Sequence, residues 1–381
     1  MLSPELCQKR LRRFASTIGE QGLDLAVVAD TKSIAYLTGF LRSELGVSTM
    51  KNVVLLVYPN ADPILLNSRM FEAQARKTYK GEMLVYADYD IHHKMVTHLE
   101  DALPVLRERL VSHPKSLRKI GIEGRYLYSG YLMMLQELYP SADLRDISHV
   151  LPEMRRIKEE DELSLIRKSE SQIALAYRTV REAIVEGSSE LDAFLAGGVA
   201  LSKEIDEPAF FAGDFVSGER AVEIGGPPTG RILKSGDMFI FDLWTTTHGY
   251  WADTCRTFVV GGKPTPEQIR LHDVVISAVD SGEALLRPGV PAREVYQAMY
   301  DTISDAGYGD HFPHHGGHGF GLYAHEPPFF IPAATDILEE GMTCTLEPGV
   351  YVEGIGGVRS EDNYLITSTG FENLTPYPRG L

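Results

Sequence analysis

Four carboxylates lie inside or beside apolar, strand-like runs, and this constrains the chain more than any other feature. Asp242 follows Met-Phe-Ile-Phe, Asp253 follows Tyr-Trp-Ala, Glu347 follows Cys-Thr-Leu, and Glu361 precedes Asp362 and Tyr364 in a strand-like run. An unpaired carboxylate in a strand core is expensive and normally needs a partner such as a metal ion. Each residue alone reads as an ordinary surface or turn position. Together they read as one acidic, cation-binding set carried on strands.

The bulk properties fit such a site. A length of 381 residues exceeds what one core usually serves and favours two domains. Hydrophobic residues at 44% and charged residues at 24% are those of a globular chain rather than a disordered one. The formal net charge of −16 argues against nucleic acid or an anionic membrane as partner and suits a cationic one. Three scattered cysteines, Cys7, Cys255 and Cys344, make neither a disulfide framework nor a thiolate zinc site and fit a reducing compartment. The N-terminal segment MLSPELCQKRLRRF lacks the apolar core and cleavage site of a secretory signal, and no run approaches ~18 apolar residues. A cytoplasmic location is the expectation.

Residues 1–151 are expected to form a small α/β domain. Leu6, Leu11, Phe14 and Ile18 have rough helical spacing, and strand-like runs follow at DLAVVAD, NVVLLVYP, DPILLNS, EMLVYADY and KIGIEG. The segment from Met154 to Val185 is dense in helix formers with no Pro or Gly, which predicts one long helix or two in succession and puts the second domain at 152–381. Further helices are expected next, then strands at DMFIFDLW and GYWADTCRTFVV joined by a polar turn around Thr246 to Gly249. Helices return in 265–306, before strand-like runs at MTCTLEPGVYVE and GVRSEDNYLIT. The C-terminal half is therefore read as α+β.

A second chemical element is HFPHHGGHGFGLYAHEPP, with five histidines within fifteen positions. Glycines let the backbone approach closely, and imidazoles supply neutral ligands or proton-transfer groups near pH 7. Such a run can also be a solvated loop.

The ordered series DLWTTTHGYWADTCRTF, HHGGHGFGLYAHE, LEPGVY and GVRSED resembles the pita-bread metallopeptidases, which include Xaa-Pro aminopeptidases, Xaa-Pro dipeptidases (prolidases) and creatinase. The resemblance covers nearly the whole chain and implies a pita-bread catalytic domain preceded by a smaller α/β domain. By that resemblance, Asp242 would bind one divalent ion, His318 and Glu347 the other, and Asp253 and Glu361 would bridge both. Glu347 would also serve as general base. His314 and His325 would contact substrate and stabilise developing charge, and Arg359 matches the arginine two residues before the last ligand. Four carboxylates and one imidazole make a hard, oxygen-rich site, with manganese the first expectation and zinc, cobalt or iron also compatible.

Two positions depart from the family pattern. The segment SGERAVEIGGPPTGRILKSGD carries Gly225 where the peptidases place a histidine that helps bind the peptide carbonyl, and DLW puts Trp244 where they usually have glycine. Trp244 reads as core packing or as a substrate wall, and Arg220 with Glu223 as surface residues or contacts to a polar substrate. In SIAYLTGFLRSELG, the family analogy makes Tyr36, Phe40 and Arg42 candidates for substrate contacts donated across a homodimer. The leading expectation is hydrolysis of the amide bond before proline in short peptides. The alternative is a hydrolase or lyase of the same fold acting on a small non-peptide C–N or C–S compound, suggested by Gly225. A catalytically silent binding protein is a third reading that the retained ligands disfavour.

Overall fold

The computed structural model describes residues 1–41, 53–87, 89–90, 94–95, 99–112, 117–375 and 377–381. Arg42 lies outside the described residues. The chain divides into two compact units, Met1–Met154 and Arg155–Leu381.

The first unit is built on a six-stranded mixed sheet in the order Glu82–Tyr86, Ala61–Ser68, Val54–Tyr58, Leu25–Val28, Lys119–Ile122 and Asp143–Asp146. Leu25–Val28 pairs antiparallel with Val54–Tyr58 and parallel with Lys119–Ile122. It is buried at every residue, which explains why its sequence is a continuous apolar run rather than an alternation. The strand Asp143–Asp146 was not expected from its sequence. Its residues Asp-Leu-Arg-Asp are mostly exposed because it closes the sheet as an edge, where charge also blocks further pairing. The first helix, Pro4–Glu20, buries Cys7, Arg10, Phe14 and Ile18, so its inner face is turned from the one that Leu6 and Leu11 suggested. Arg10 is tolerated there because its guanidinium stacks over the Tyr36 ring, 4.8 Å from the centroid.

The second unit opens with two packed helices, Glu160–Ala183 and Glu190–Ile205, each started by a capping box. A three-stranded antiparallel sheet follows, in which Met238–Thr247 lies between Phe211–Ser217 and Tyr250–Val259. Phe211–Ser217 is a strand where only helix was expected. Gly213 and Asp214 interrupt its apolar character, but Gly213 is needed because a Cβ there would lie 2.0 Å from the Asp242 carbonyl oxygen.

The central strand is covered on both faces. Phe239, Phe241 and Leu243 join an aromatic core with Phe215, Phe258 and Tyr177, while Met238 and Ile240 join a second core with Val216, Cys255 and Val259. Double coverage accounts for the unbroken Met-Phe-Ile-Phe run. Beyond these strands, a five-stranded sheet runs in the order Glu326–Phe330, Gly317–Gly319, Thr343–Leu346, Asp362–Ile366 and Phe371–Asn373. The hairpin Gly349–Val352 with Gly356–Arg359 and the helices Pro266–Glu283 and Ala292–Asp305 complete the unit. The α+β architecture of the second unit and the smaller α/β unit before it are those expected from the sequence. Among the described residues no helix is long and apolar enough to cross a membrane.

Candidate active site

Strand register collects the acidic residues. Residues directly opposite across antiparallel strands point to the same side of the sheet. One face of the three-stranded sheet therefore reads Val216, Ile240, Thr257, then Asp214, Asp242, Cys255, then Ala212, Trp244, Asp253. The face turns from apolar to acidic within two residues. Asp242 and Asp253 are both buried, and Glu361, also buried, is held to the same place by its backbone N–H donating to the Cys255 carbonyl at 3.0 Å.

The glycine-rich run supplies the imidazoles. Gly317 has φ of +149°, and a Cβ there would lie 2.1 Å from the Thr345 carbonyl oxygen, so only glycine lets this strand lie against Thr343–Leu346. That close approach sets His318 beside Glu347, with Nε2 3.2 Å from Oε1. The Nδ1 of His318 donates to the Gly319 carbonyl at 3.0 Å, which fixes the ring and turns Nε2 toward the carboxylates. His315 Nδ1 lies 3.3 Å from the same Glu347 oxygen, and the Thr345 hydroxyl donates to it at 3.3 Å.

The electrostatics call for a cation. Asp253 Oδ1 and both Glu361 carboxylate oxygens are buried with no hydrogen-bond donor among the described residues. Burial, and then the neighbouring carboxylates, push Asp253 and Glu361 well above the usual carboxylate range, and burial also raises Asp242. Burial would raise Glu347 too, but hydrogen bonds from His315 and His318 outweigh it and hold Glu347 well below that range. Ligand atoms of Asp253, His318 and Glu361 lie within 4.8 Å of one another, as do those of His314, His315 and Glu347. Hard oxygen donors with one or two imidazoles fit a divalent ion, which would replace the protons these groups otherwise need.

Arg359 spans the site from the other side. Its Nη2 donates to Asp242 Oδ2 at 2.7 Å and lies 3.6 Å from Asp214 Oδ2, and its Nη1 donates to the Tyr351 hydroxyl at 2.9 Å and to the Ile224 carbonyl. The Tyr351 hydroxyl meets His314 Nε2 at 3.0 Å, and His314 Nδ1 donates to the His315 carbonyl at 2.8 Å. A carbonyl can only accept, so Nδ1 carries the proton and Nε2 accepts from Tyr351. Burial lowers His314 to about 4, so the ring is neutral near pH 7. Both of its nitrogens are thus engaged within the protein. His325 is exposed, with its ring centroid 3.9 Å from that of His318, and remains open to an incoming molecule.

The remaining candidates fall elsewhere. The Trp244 indole donates to Asp242 Oδ1 at 3.2 Å and so belongs to the carboxylate cluster. Arg220 turns inward, pairing with the fully buried Glu190 and donating to the Phe215 and Pro227 carbonyls and the Thr229 hydroxyl. Its hydrogen bonds hold the loop before Met238–Thr247. Glu223 lies 3.6 Å from Arg220 and is more than half exposed. Tyr36 is fully buried in the first unit, its hydroxyl accepting from Arg13 at 2.6 Å and donating to the Met154 carbonyl at 3.1 Å, and Phe40 is buried as well. Three residues at the site had not been singled out. His315 sat unassigned in the histidine run, Tyr351 in the LEPGVY motif, and Asp214 carried no sequence signal.

Residues 164–368 match the sequence profile of metallopeptidase family M24, and residues 10–157 that of the creatinase/prolidase N-terminal domain. The chain belongs to metallopeptidase family M24. A relative of this M24 peptidase is a putative dipeptidase, YkvY, of Bacillus subtilis, 28% identical over 98% of this chain and 99% of that protein. Among solved structures, the M24 chain is similar to a prolidase from Pyrococcus horikoshii, with TM-score 0.84, 25% identity, and coverage of 98% of this chain and 99% of the other. An Xaa-Pro dipeptidase from Bacillus anthracis gives TM-score 0.85, 25% identity and the same coverage.

Proposed function

We propose that this M24 peptidase hydrolyses the amide bond preceding proline in short peptides, using two divalent metal ions. The observation that carries the reading is the set of buried carboxylate oxygens on Asp253 and Glu361 that lack a donor among the described residues, beside a ring-oriented His318. Asp242, Asp253, His318, Glu347 and Glu361 would hold the ions. A metal pair supplies carbonyl polarisation and a water acidified toward neutrality.

The chain's own groups do the rest. Glu347, which lies beside His315 and His318, is the base that takes the proton of the attacking water. His325 presents an imidazole to the developing oxyanion. His314 acts at one remove: with Arg359 it fixes the Tyr351 hydroxyl, and Arg359 in turn orients Asp242. Similarity to a prolidase and to an Xaa-Pro dipeptidase supports a proline-directed substrate. The reading includes manganese as the resident metal, a homodimer by family analogy, and a cytoplasmic setting in keeping with three buried cysteines that form no disulfide.

Elemental analysis after loading with Mn²⁺, coupled to assays on Xaa-Pro dipeptides and Xaa-Pro-Xaa tripeptides, tests it. About two metals per chain with turnover is expected. Two metals with no peptide turnover would transfer the assignment to a small non-peptide amide.

A further inference from the structure

The absence of a side chain at Gly225 is matched by an addition next to it. A Cβ at Gly225 would lie 2.1 Å from Asp214 Oδ2, and the Gly226 N–H donates to Asp214 Oδ1 at 2.9 Å. Asp214 therefore fills the space beside residue 225, and a side chain there would have to displace its carboxylate. It stands directly across the strand pair from Asp242, faces the same side of the sheet, and its side chain is 25% exposed, so a molecule held at Asp242 has this carboxylate as a neighbour.

The charges decide what that neighbour does. Two divalent ions would balance the four ligand carboxylates and leave the Arg359 guanidinium as a surplus positive charge until the attacking water ionises. A surplus of that kind favours an anionic substrate end. Asp214, 3.6 Å from Arg359, cancels it. We propose that Asp214, accommodated by Gly225, is a specificity determinant that turns this site against a free carboxylate beside the scissile bond and toward substrates whose corresponding group is neutral or cationic, such as an amide, a further peptide unit or a protonated amine. The inference rests on the metal-dependent hydrolysis proposed above.

The test compares Ala-Pro with Ala-Pro amide on Mn²⁺-loaded wild type and Asp214→Asn. The asparagine keeps an acceptor for the Gly226 N–H, so the loop is retained, and metal content is expected to be unchanged. Wild type should favour the amide by about tenfold or more in kcat/KM, and Asp214→Asn should bring the ratio to within about threefold, the change lying mainly in the carboxylate substrate. A wild-type preference for Ala-Pro, or a ratio that Asp214→Asn leaves alone, overturns the inference while leaving the peptidase reading intact. If neither compound is cleaved, calorimetric titration with proline and prolinamide separates the two ideas. Prolinamide-selective binding lost in Asp214→Asn sustains the role of Asp214 although the peptidase reading has failed, and unselective or absent binding ends both. The double variant Asp214→Ala/Gly225→His supplies a second check: with the obstructing carboxylate gone it should favour the carboxylate substrate, and an unchanged amide preference counts against Asp214.

Discussion

At the scale of single residues, the five candidate ligands are not equivalent. Asp253 and Glu361 have buried oxygens with no donor, whereas both oxygens of Asp242 already receive one, from Arg359 and from Trp244. If Asp253 and Glu361 bridge two ions as proposed, removing either should abolish both, and Asp242→Ala should spare one. Metal-to-protein ratios on the dialysed variants check this; retention of both ions in Asp253→Ala and Glu361→Ala would discredit the bridging roles. Asp242, Asp253 and Glu347 were legible in the sequence because each follows an apolar run, whereas Glu361, between Ser360 and Asp362, was picked out by its strand-like context and the GVRSED motif. Asp214 was not, since FAGDFVS reads as an unremarkable polar stretch until pairing sets it opposite Asp242. Arg220 misled for the converse reason: its charge suggested substrate, but its partner Glu190 lies thirty residues away on a helix, a relation that no local pattern carries.

Elements explain why the loop Ser217–Thr229 stays in place beside the site. Glu190, in the first turn of Glu190–Ile205, accepts from the Ser217 N–H and hydroxyl, the Thr229 N–H and hydroxyl, and Arg220. A buried carboxylate with every lone pair engaged organises its surroundings, and its removal leaves a buried guanidinium side and several donors unpaired. Glu190→Ala should cost about 3–5 kcal/mol in urea unfolding, and a loss below about 1 kcal/mol would show that the loop does not depend on it. Strands were easiest to read where burial on both sides made them continuously apolar, as in Leu25–Val28 and Met238–Phe241. They were missed where an edge position or a close backbone approach selected Asp, Arg or Gly, as in Asp143–Asp146 and Phe211–Ser217.

For the whole molecule, the site ties stability to pH and to metal. Asp253 and Glu361 are raised above the usual carboxylate range by burial and then by neighbouring carboxylates, so at these two groups the metal-free native state binds more protons than the unfolded chain. Their contribution is fully present at acid pH and is lost as pH rises above the ordinary carboxylate range. The chelated protein should therefore melt at progressively lower temperature from about pH 4.5 upward. Metal binding displaces those protons and adds stability that grows with concentration over Kd, by about 2.7 kcal/mol at a hundredfold excess. The gap in Tm between Mn²⁺-loaded and chelated samples should widen with pH; a gap that narrows would contradict the raised values. Composition had disclosed this property only as a net charge of −16, because it cannot say which acids are buried together.

The two strands bearing Asp242 and Asp253 are joined by a tight hairpin in which His248 and Gly249 both adopt positive φ, 50° and 80°, between the paired Thr247 and Tyr250. Such a two-residue turn sets which residue faces which along the whole ribbon, and a slip by one in the first strand would put Phe241 or Leu243 where Asp242 stands. His248 is exposed and roughly 20 Å along the strand from Asp242, yet its positive φ belongs to the turn that sets this register. His248→Asn should be silent, whereas His248→Val, which resists positive φ, should weaken metal uptake without touching a ligand. Equal metal affinity in both variants would mean that the flanking strands hold their alignment unaided.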